Sequence, residues 1–348
     1  MQNNNRVRDQ RVARGWSQAE LAENTGMSRT TISAIEGCRM VPSVSSALAL
    51  AEAFGVSVED LFASVPTSPA AVWAATPVNS SSPYWHAEVA GRLVRYPART
   101  TPMLTPFADG NASVSARDGI SISAANETLV LACCDPAVGL LASLYAQASG
   151  MRLLVLSRSS SESLELLRQG LVHMAGLHLA TADQPDRNSE VVRERLGSGY
   201  RILRLANWEE GIVVSPALKL RSIRTAIRSK LSWVGREPGS GARQCLDRLL
   251  NERVTPQRIA RHHLGVVEAI QSGWADAGVC VRLPSAEAGL DFVPVQQEYY
   301  DVCFAEGFSS DRRAQTFVNV VRSSTYRRML GGLPGYSSVD TGGLCAIN

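Results

Sequence analysis

The chain has 348 residues, of which 45% are hydrophobic and 19% are charged. This length exceeds what one hydrophobic core usually organises, and the composition excludes a disordered or fibrous protein, so we expect two or three globular domains. The net charge of +3 is too small for a nonspecific nucleic-acid or membrane-surface binder, so any DNA contact must come from a local patch.

The start of the chain and its cysteines predict a cytoplasmic protein. Residues 1–5 are polar and carry no apolar segment followed by a cleavage site, so export is not expected. No stretch reaches the roughly 18 apolar residues of a membrane-spanning helix, so we expect no membrane partner. Seven cysteines without a CxxC pair favour reduced thiols over a disulfide framework and argue against a metal site.

Two capped helices are predicted near the start of the chain. Ser17 and Glu20 form a capping box, so a helix should begin at Ser17 and end near Gly26. Ser28 then caps a second helix, SRTTISAIEG, whose two isoleucines turn inward. The spacing of the two helices is that of a helix-turn-helix.

The polar face of the second helix suits DNA. Arginine donates in pairs to guanine or phosphate, and Thr or Ser reaches base edges or backbone oxygens from a helix N-terminus in the major groove. Gln18 and Arg39 flank this face and are expected to donate to phosphate. The predicted DNA-binding residues are Gln18, Ser28, Arg29, Thr30, Thr31, Ser33 and Arg39.

Residues 6–62 resemble the Xre/Cro/C1 family of helix-turn-helix domains. The resemblance is carried by WSQAELA, the GMS turn, TISAIEG and PSVSSALALAEAFGVSVEDLF. Because such domains read paired half-sites, it implies a homodimer on a double-stranded DNA operator. Residues 1–63 hold six arginines against seven carboxylates, so a basic DNA side requires an acidic far side. The alternative is a helical protein-interaction module.

The pattern of the chain changes after this all-α domain, which we assign to residues 1–63. Residues 64–82 are rich in Ser, Pro and Ala and uncharged, which predicts a linker. Residues 83–126 contain short apolar stretches broken by turn residues, which predicts a small β-rich connecting segment. In residues 127–348 strands alternate with helices, which predicts an α/β domain with a mainly parallel sheet and two lobes around a cleft.

Polar residues at strand-to-helix turns are the ligand candidates. Asp135 follows TLVLACC and Ser159 follows RLLVLS, and ligands of open α/β sheets collect at such edges. In REPGSGAR, Ser240 and Arg243 adjoin free backbone N–H groups, which suits an oxyanion or carboxylate, although the turn alone is also typical of a plain tight connection. His178 ends the third strand, either as a ligand donor or as a satisfied core histidine.

The order of these motifs is similar to the type 2 periplasmic-binding-protein fold as it occurs in cytoplasmic regulators. The resemblance covers residues 127 to about 340 through ACCDPAVGLLA, HMAGLHL, REPGSGARQCLD, GWADAGVCV, GLDFVPVQQEYYDV and LPGYSSVDTGG. It implies that NWEEGIVVSP and LDFVPV cross between two lobes. The residues that it implies near the cleft and hinge are Asp135, Ser159, His178, Ser240, Arg243, Asp276, Glu298 and Tyr300.

The combined pattern predicts a ligand-responsive, sequence-specific DNA-binding transcription regulator without catalytic residues, metal or cofactor. Its effector is expected to be a small polar, anionic molecule, with molybdate or a related oxyanion as a first guess by analogy. One alternative is an enzyme that uses the cleft, although the sequence shows no nucleophile–base spacing. Others are a DNA-binding protein whose second domain serves only interaction, and thiol sensing through Cys133 or Cys134.

Overall fold

The contacts of the chain divide it into two units, Met1–Ala71 and Val72–Asn348. The structure is a computed structural model and describes residues 5–62, 71–77, 82–98, 109–111, 125–251 and 255–347. Most of the expected linker, and parts of the expected connecting segment, lie outside these residues. Within them, no helix is long and apolar enough to cross a membrane.

The first unit is a bundle of short helices, as predicted. These are α1 Val7–Ala13, α2 Gln18–Thr25, α3 Arg29–Glu36, α4 Val44–Phe54 and α5 Val58–Phe62. The capping box is present, since the Ser17 hydroxyl accepts from the Glu20 N–H and the Glu20 carboxylate accepts from the Ser17 N–H. Gly26 ends α2 in the left-handed conformation, with φ of 64°. A three-residue turn therefore leads directly into α3.

The second unit begins with a small sheet. Its strands are β1 Val72–Trp73, β2 Pro83–Val89, β3 Arg92–Pro97 and β4 Gly110–Asn111, in the order β1-β3-β2-β4. Trp85 and Tyr96 are buried in one hydrophobic cluster with residues of the main sheet. The Tyr96 hydroxyl also donates to the Leu171 carbonyl at 2.6 Å. The small sheet is therefore packed onto the larger domain and does not form a core of its own.

The main sheet spans two lobes. Its strands are β5 Thr128–Cys133, β6 Arg152–Ser157, β7 Met174–Thr181, β8 Tyr200–Val214, β9 Trp233–Arg236, β10 Arg258–Ala260, β11 Ala277–Val281, β12 Asp291–Ala305, β13 Tyr336–Ser337 and β14 Leu344–Ile347. The order is β10-β9-β11-β8-β12-β7-β5-β6, with β13 and β14 also paired to β8. The outer strands of each lobe are parallel, as expected, whereas β8 and β12 run antiparallel to their neighbours. The sheet is therefore mixed, whereas the sequence predicted a mainly parallel one. The difference lies at the centre, because β8 carries the chain from the first lobe to the second and β12 carries it back in the opposite direction.

Helices cover both faces of this sheet. They are α6 Val138–Ser149, α7 Ser160–Arg168, α8 Arg187–Leu196, α9 Ile223–Arg228, α10 Gly241–Leu250, α11 His263–Gln271, α12 Arg282–Glu287, α13 Arg312–Arg322 and α14 Ser324–Gly331. In the first lobe two hydrophobic clusters lie on opposite faces of β5, because Leu129 and Leu131 belong to one and Val130 and Ala132 to the other. Two further clusters fill the second lobe, around β9 and β11.

The two lobes are joined by β8 and β12, which pair from Asp291 opposite Val214 to Ala305 opposite Tyr200. Each has 15 residues, far longer than a strand within one lobe needs. The expected crossing segments overlap these two strands: NWEEGIVVSP extends two residues past the end of β8, and LDFVPV begins one residue before β12. Irregular register between Pro294 and Gln296 marks a bend in β12 at the crossing.

Gly211 in β8 tests how tightly the crossing is packed. A Cβ at this position would contact the Val293 carbonyl and lie 2.7 Å from the Phe292 ring. We expect Gly211→Ala to lower the free energy of unfolding of the second unit by about 1–3 kcal/mol, as for an overpacked core. Urea denaturation followed by tryptophan fluorescence measures this change.

Gly139 in α6 is the matched control, because a Cβ there meets nothing within 4 Å and its backbone is helical. We expect Gly139→Ala to raise stability by about 0.5–1 kcal/mol through lost backbone entropy in the unfolded chain. Equal stability changes in the two variants would show that the crossing tolerates an extra methyl group.

Candidate functional site

The second helix of the helix-turn-helix presents an exposed polar end. Ser28, Arg29 and Thr30 are exposed, while Thr31 and Ser33 are half-buried. The Ser28 hydroxyl accepts from the Thr31 N–H and so fixes the first turn of α3. Arg29 is therefore held at the N-terminal turn of α3 with its side chain in solvent.

Gln18 and Arg39, the flanking candidates, both make contacts within the unit. The Gln18 amide donates to Glu36 at 2.9 Å, and Arg11 forms an ion pair with the same carboxylate at 2.6 Å. Arg39 donates to the Ser33 hydroxyl at 3.2 Å and remains exposed. Gln18 thus joins α2 to α3 in this structure, and Arg39 borders the polar face.

The second candidate site is a cluster of buried polar side chains where β8 and β12 cross between the lobes. Its members come from both lobes and from both crossing strands. They are Cys134, His178, Trp208, Glu210, Arg236, His263, Glu298 and Tyr300. Each of these residues is at most 7% exposed. The cluster therefore lies at the closed centre of the cleft.

Glu298 is the hub of the cluster. One of its oxygens lies 3.0 Å from His178 Nδ1 and also accepts from the Trp208 indole at 2.9 Å. The other accepts from the Gln296 amide at 2.7 Å. Burial opposes the charged form of His178, but the charges of Cys134 and Glu298 outweigh it, so the pKa of His178 is raised well above its usual value.

Cys134 extends this line of contacts on the other side of the imidazole. Its Sγ lies 3.1 Å from His178 Nε2, so a thiol, an imidazole and a carboxylate follow one another. The sequence showed no such set because Cys134 is 44 residues from His178, and Glu298 is 120 residues from it. The sequence motifs did indicate His178 and Glu298 as separate cleft and hinge candidates, but not their contact with each other or with Cys134.

Several polar atoms at the centre of the cluster have no hydrogen-bond partner among the described residues. They are Arg236 Nη1, His263 Nε2 and Glu210 Oε1. Burial and the charge of nearby Arg236 hold the pKa of His263 well below its usual value, so its ring is neutral. Since His263 Nδ1 accepts from the Val281 N–H at 3.4 Å, the ring proton is on Nε2 and is available for donation.

Glu210 lies beside Glu298. Burial and the neighbouring charge of Glu298 raise the pKa of Glu210 well above its usual value, and a hydrogen bond between the two carboxyl groups acts in the same direction. One Glu210 oxygen also accepts from the Gln296 amide at 3.0 Å. The guanidinium of Arg236 and the imidazole N–H of His263 are therefore the two groups in the cluster that can donate to a bound anion.

Asp135 and Ser159 lie at the cleft edge of the first lobe, at the ends of β5 and β6. Asp135 accepts from the Tyr336 hydroxyl at 2.6 Å and from the Ala137 N–H. Burial raises the pKa of Asp135 to about 6, which the Tyr336 bond partly offsets. Ser159 caps α7 by accepting from the Glu162 N–H. Both side chains shape the turns that bound the cleft.

Ser240 and Arg243 are engaged within their own loop. The Ser240 hydroxyl caps α10 by accepting from the Arg243 N–H and donates to the Glu237 carbonyl. Arg243 Nε lies 2.8 Å from Asp247, and its Nη1 donates to the Arg236 carbonyl. The predicted anion cradle is thus occupied by the protein itself, and the loop instead supports Arg236.

Asp276 and Tyr300 lie at different distances from the cleft. Asp276 precedes β11 and binds Ser232, whereas the cleft lies at the other end of that strand, where Val281 is opposite Glu210. Tyr300 lies within the buried cluster and stacks on Trp208 at 4.6 Å between ring centroids. Asp276 therefore stabilises the far edge of the second lobe, and Tyr300 buttresses the crossing.

The cluster also meets the spacing of a metal site. Ligand atoms of Cys134, His178 and His263 lie within 4.8 Å of one another. However, a ligand at His263 Nε2 would have to displace the ring proton fixed there, and the Arg236 guanidinium would repel a cation. The arrangement therefore favours an anion over a metal ion.

Comparison with known families agrees with both parts of this structure. Residues 7–61 match a helix-turn-helix family model, and residues 141–322, more than half of the chain, match the model of the PBP superfamily domain. The chain belongs to the PBP superfamily. Both resemblances that the sequence motifs indicated, and the two-part fold that they imply, are confirmed.

Relatives match either the PBP domain or the helix-turn-helix. The uncharacterized protein YvgK of Bacillus subtilis is 25% identical over 195 residues, which are 53% of this chain and 63% of that protein. The uncharacterized HTH-type transcriptional regulator YgzD of the same organism is 41% identical over 58 residues, 17% of this chain and 88% of that protein. The N-terminal unit thus belongs with HTH-type transcriptional regulators, and the chain spans less than two thirds of YvgK.

Solved structures also resemble the PBP domain. L-phospholactate-bound PEB3 is 13% identical, with a TM-score of 0.46, and the match covers 60% of this chain and 99% of that one. A histidine kinase sensor domain with similarity to periplasmic binding proteins is 11% identical, with a TM-score of 0.43, over 60% of this chain and 97% of that one.

Glu298→Gln tests the hub of the cluster. The variant leaves a buried imidazolium without its carboxylate, so we expect a loss of about 2–4 kcal/mol in the free energy of unfolding. Because the pKa of His178 is raised, the pair stabilises the fold fully below pH of about 6.5, and this stabilisation is lost as the pH rises through the folded-state value. The difference between variant and native chain should therefore be larger at pH 6 than at pH 9 in urea denaturation.

Glu306→Gln serves as the control for Glu298→Gln. Glu306 is 51% exposed and pairs with Arg201 at the surface. Its replacement should change stability by less than about 0.5 kcal/mol at either pH. A Glu298 variant that behaves like the Glu306 variant would mean that the buried pair contributes nothing.

Proposed function

We propose that this chain is a ligand-responsive transcription regulator that binds an operator through the helix-turn-helix and a small anion in the cleft of the PBP domain. The observation that carries the proposal is the pair of buried donors, Arg236 Nη1 and His263 Nε2, that find no partner within the described part of the chain. Buried donors are almost always satisfied in proteins, so an acceptor on a ligand accounts for their position. The protein would act in the cytoplasm, where its DNA is.

Arg236 is the proposed anchor of the anion. It is 1% exposed, and Glu237 neutralises only part of its guanidinium, through Nε and Nη2. Nη1 is left to face the cluster. We propose that Ser240 and Arg243 hold the loop that carries Arg236, and that Asp135, Ser159, His178 and Tyr300 bound the same space. The proposed effector is still a small anion, with an oxyanion as the first candidate. Its main contact is Arg236 instead of Arg243.

Coupling to DNA follows from the two-lobed architecture. An anion that contacts Arg236 and His263 in one lobe and the His178 region in the other binds the closed arrangement better than an open one. The anion therefore stabilises the closed state by the difference between its binding free energies for the two states. We propose that the closed state changes the spacing of two helix-turn-helix units in a homodimer on paired half-sites.

Arg236→Lys and Arg243→Lys separate the two possible anion sites. In thermal shift assays of the full chain with sulfate, phosphate, molybdate and small carboxylates, we expect selective stabilisation of the native chain. At 100 times Kd this amounts to about 2.7 kcal/mol. Arg236→Lys should weaken binding at least about tenfold, because lysine cannot reproduce the fork of donors. Arg243→Lys should retain it, because Asp247 already occupies that guanidinium.

Two results would contradict this part of the proposal. If the loss occurred in Arg243→Lys alone, the anion would be bound at the helix α10 turn. If no probe stabilised the native chain, the cleft would serve interaction or assembly and the DNA-binding part would stand.

Arg29→Ala tests the operator-binding surface. Fluorescence anisotropy with a duplex selected from a random library should show binding about tenfold or more weaker, since a bidentate base contact contributes about 1–3 kcal/mol. Arg168→Ala is the control, because Arg168 is 56% exposed on the other unit and pairs only with Glu165 at the surface. Equal affinities of the two variants would remove Arg29 from the interface.

A further inference from the structure

Cys134 is the first of three buried groups in a line of hydrogen bonds. Its Sγ lies 3.1 Å from His178 Nε2, and His178 Nδ1 lies 3.0 Å from Glu298. Trp208 and Gln296 donate to the Glu298 oxygens and fix the orientation of that carboxylate. A carboxylate that holds one ring nitrogen directs the other toward the thiol, which is the arrangement that activates a nucleophile.

Groups of both charge types surround the Cys134 thiol. Cationic or proton-donating groups come from β7, β9 and α11, namely His178, Arg236 and His263. Opposing groups come from β5, β8 and β12, namely Asp135, Glu210, Glu298 and Tyr300. Asp135 is tied to Tyr336, Glu210 is protonated, and Glu298 is paired with His178. The His178 imidazole is therefore the ring in direct contact with the sulfur.

We infer that Cys134 is a nucleophilic thiolate paired with the His178 imidazolium, and that it is a modification site for small peroxides that enter the cleft. The inference rests on the proposed cleft being open to small molecules, but not on the identity of its anion. The unpartnered donors Arg236 Nη1 and His263 Nε2 are positioned to bind the peroxide oxygens. The same side chains that would hold an anion would then hold the developing oxyanion of the leaving group.

The reaction balances without any further reagent. The Cys134 thiolate attacks one peroxide oxygen, forming an S–O bond as the O–O bond breaks. The departing oxygen takes the proton from His178 and leaves as water or an alcohol. Sulfur loses two electrons to the peroxide and becomes a sulfenic acid.

Alkylation rates measured against pH test the ion pair directly. The native chain is treated with iodoacetamide from pH 5.5 to 9, and fragment-ion mass spectrometry separates Cys134 from Cys133 and from the exposed Cys38. We expect the rate at Cys134 to fall less steeply with falling pH than the rate at Cys38, because thiolate rather than thiol reacts with the probe. Hydrogen peroxide followed by dimedone should label Cys134 and leave Cys38 unlabelled.

Two variants assign the effect to His178. In His178→Asn the pH profile of Cys134 should become that of Cys38, and in Glu298→Gln its midpoint should move part of the way. His262→Asn is the control, because His262 is half-buried, caps α11, and can be replaced there by another capping side chain. Its profile should match that of the native chain. Circular dichroism verifies the fold of each variant. If His178→Asn does not fold, the pH profile of Cys134 in Glu298→Gln tests the role of His178 alone.

Three results would overturn the inference. Cys134 would be an inert core thiol if it reacted only in denaturant, or if its profile followed that of Cys38. The pair would be refuted if neither His178→Asn nor Glu298→Gln changed the profile. If equimolar Zn²⁺ blocked alkylation and EDTA restored it, the sulfur would be a metal ligand. Anion binding and operator binding are measured separately, so failure of the proposed regulator would be distinguishable from failure of the thiolate.

Discussion

The antiparallel ladder between β8 and β12 is the interaction on which the second unit depends. It runs from Val214 opposite Asp291 to Tyr200 opposite Ala305, so one continuous set of backbone hydrogen bonds belongs to both lobes. Without it the two lobes would be separate small domains with no defined cleft. Glu210 and Trp208 on one strand, and Glu298 and Tyr300 on the other, are brought to the same point by its register.

The cleft centre carries a high electrostatic cost. Removing several ionisable groups from water destabilises a fold unless each finds a partner, and here part of the cluster lacks one. Hydrophobic clusters on both sides of the sheet in each lobe offset that cost. Strain of this kind is usual at functional sites, because the missing partner is what a ligand provides.

Local sequence signals predicted the helices and strands but not the chemistry of the cleft. The capping box at Ser17 and the strand-to-helix turns at Asp135 and Ser159 depend on neighbours within a few residues, so they can be read directly. The motif REPGSGAR contains both Arg236 and Arg243, but it does not show how each guanidinium is used. Arg236 pairs with Glu237, and Arg243 pairs with Asp247, one helical turn further on.

The remaining residues of the cluster could not be found by local patterns at all. Glu210 and His263 read as an ordinary strand residue and an ordinary helix start, and only the tertiary fold brings them together. The antiparallel direction of β8 and β12 likewise depends on which strands pair, and this is not encoded in the periodicity of either strand.

The position of β14 has a consequence for the order of events during synthesis on the ribosome. This strand follows every other described element, yet it pairs with the start of β8 and places Ile347 in the first-lobe core. The first-lobe core therefore stays incomplete until residues 344–347 have emerged, whereas the core of the helix-turn-helix is complete by Leu61. The helix-turn-helix can thus fold before the first lobe is complete.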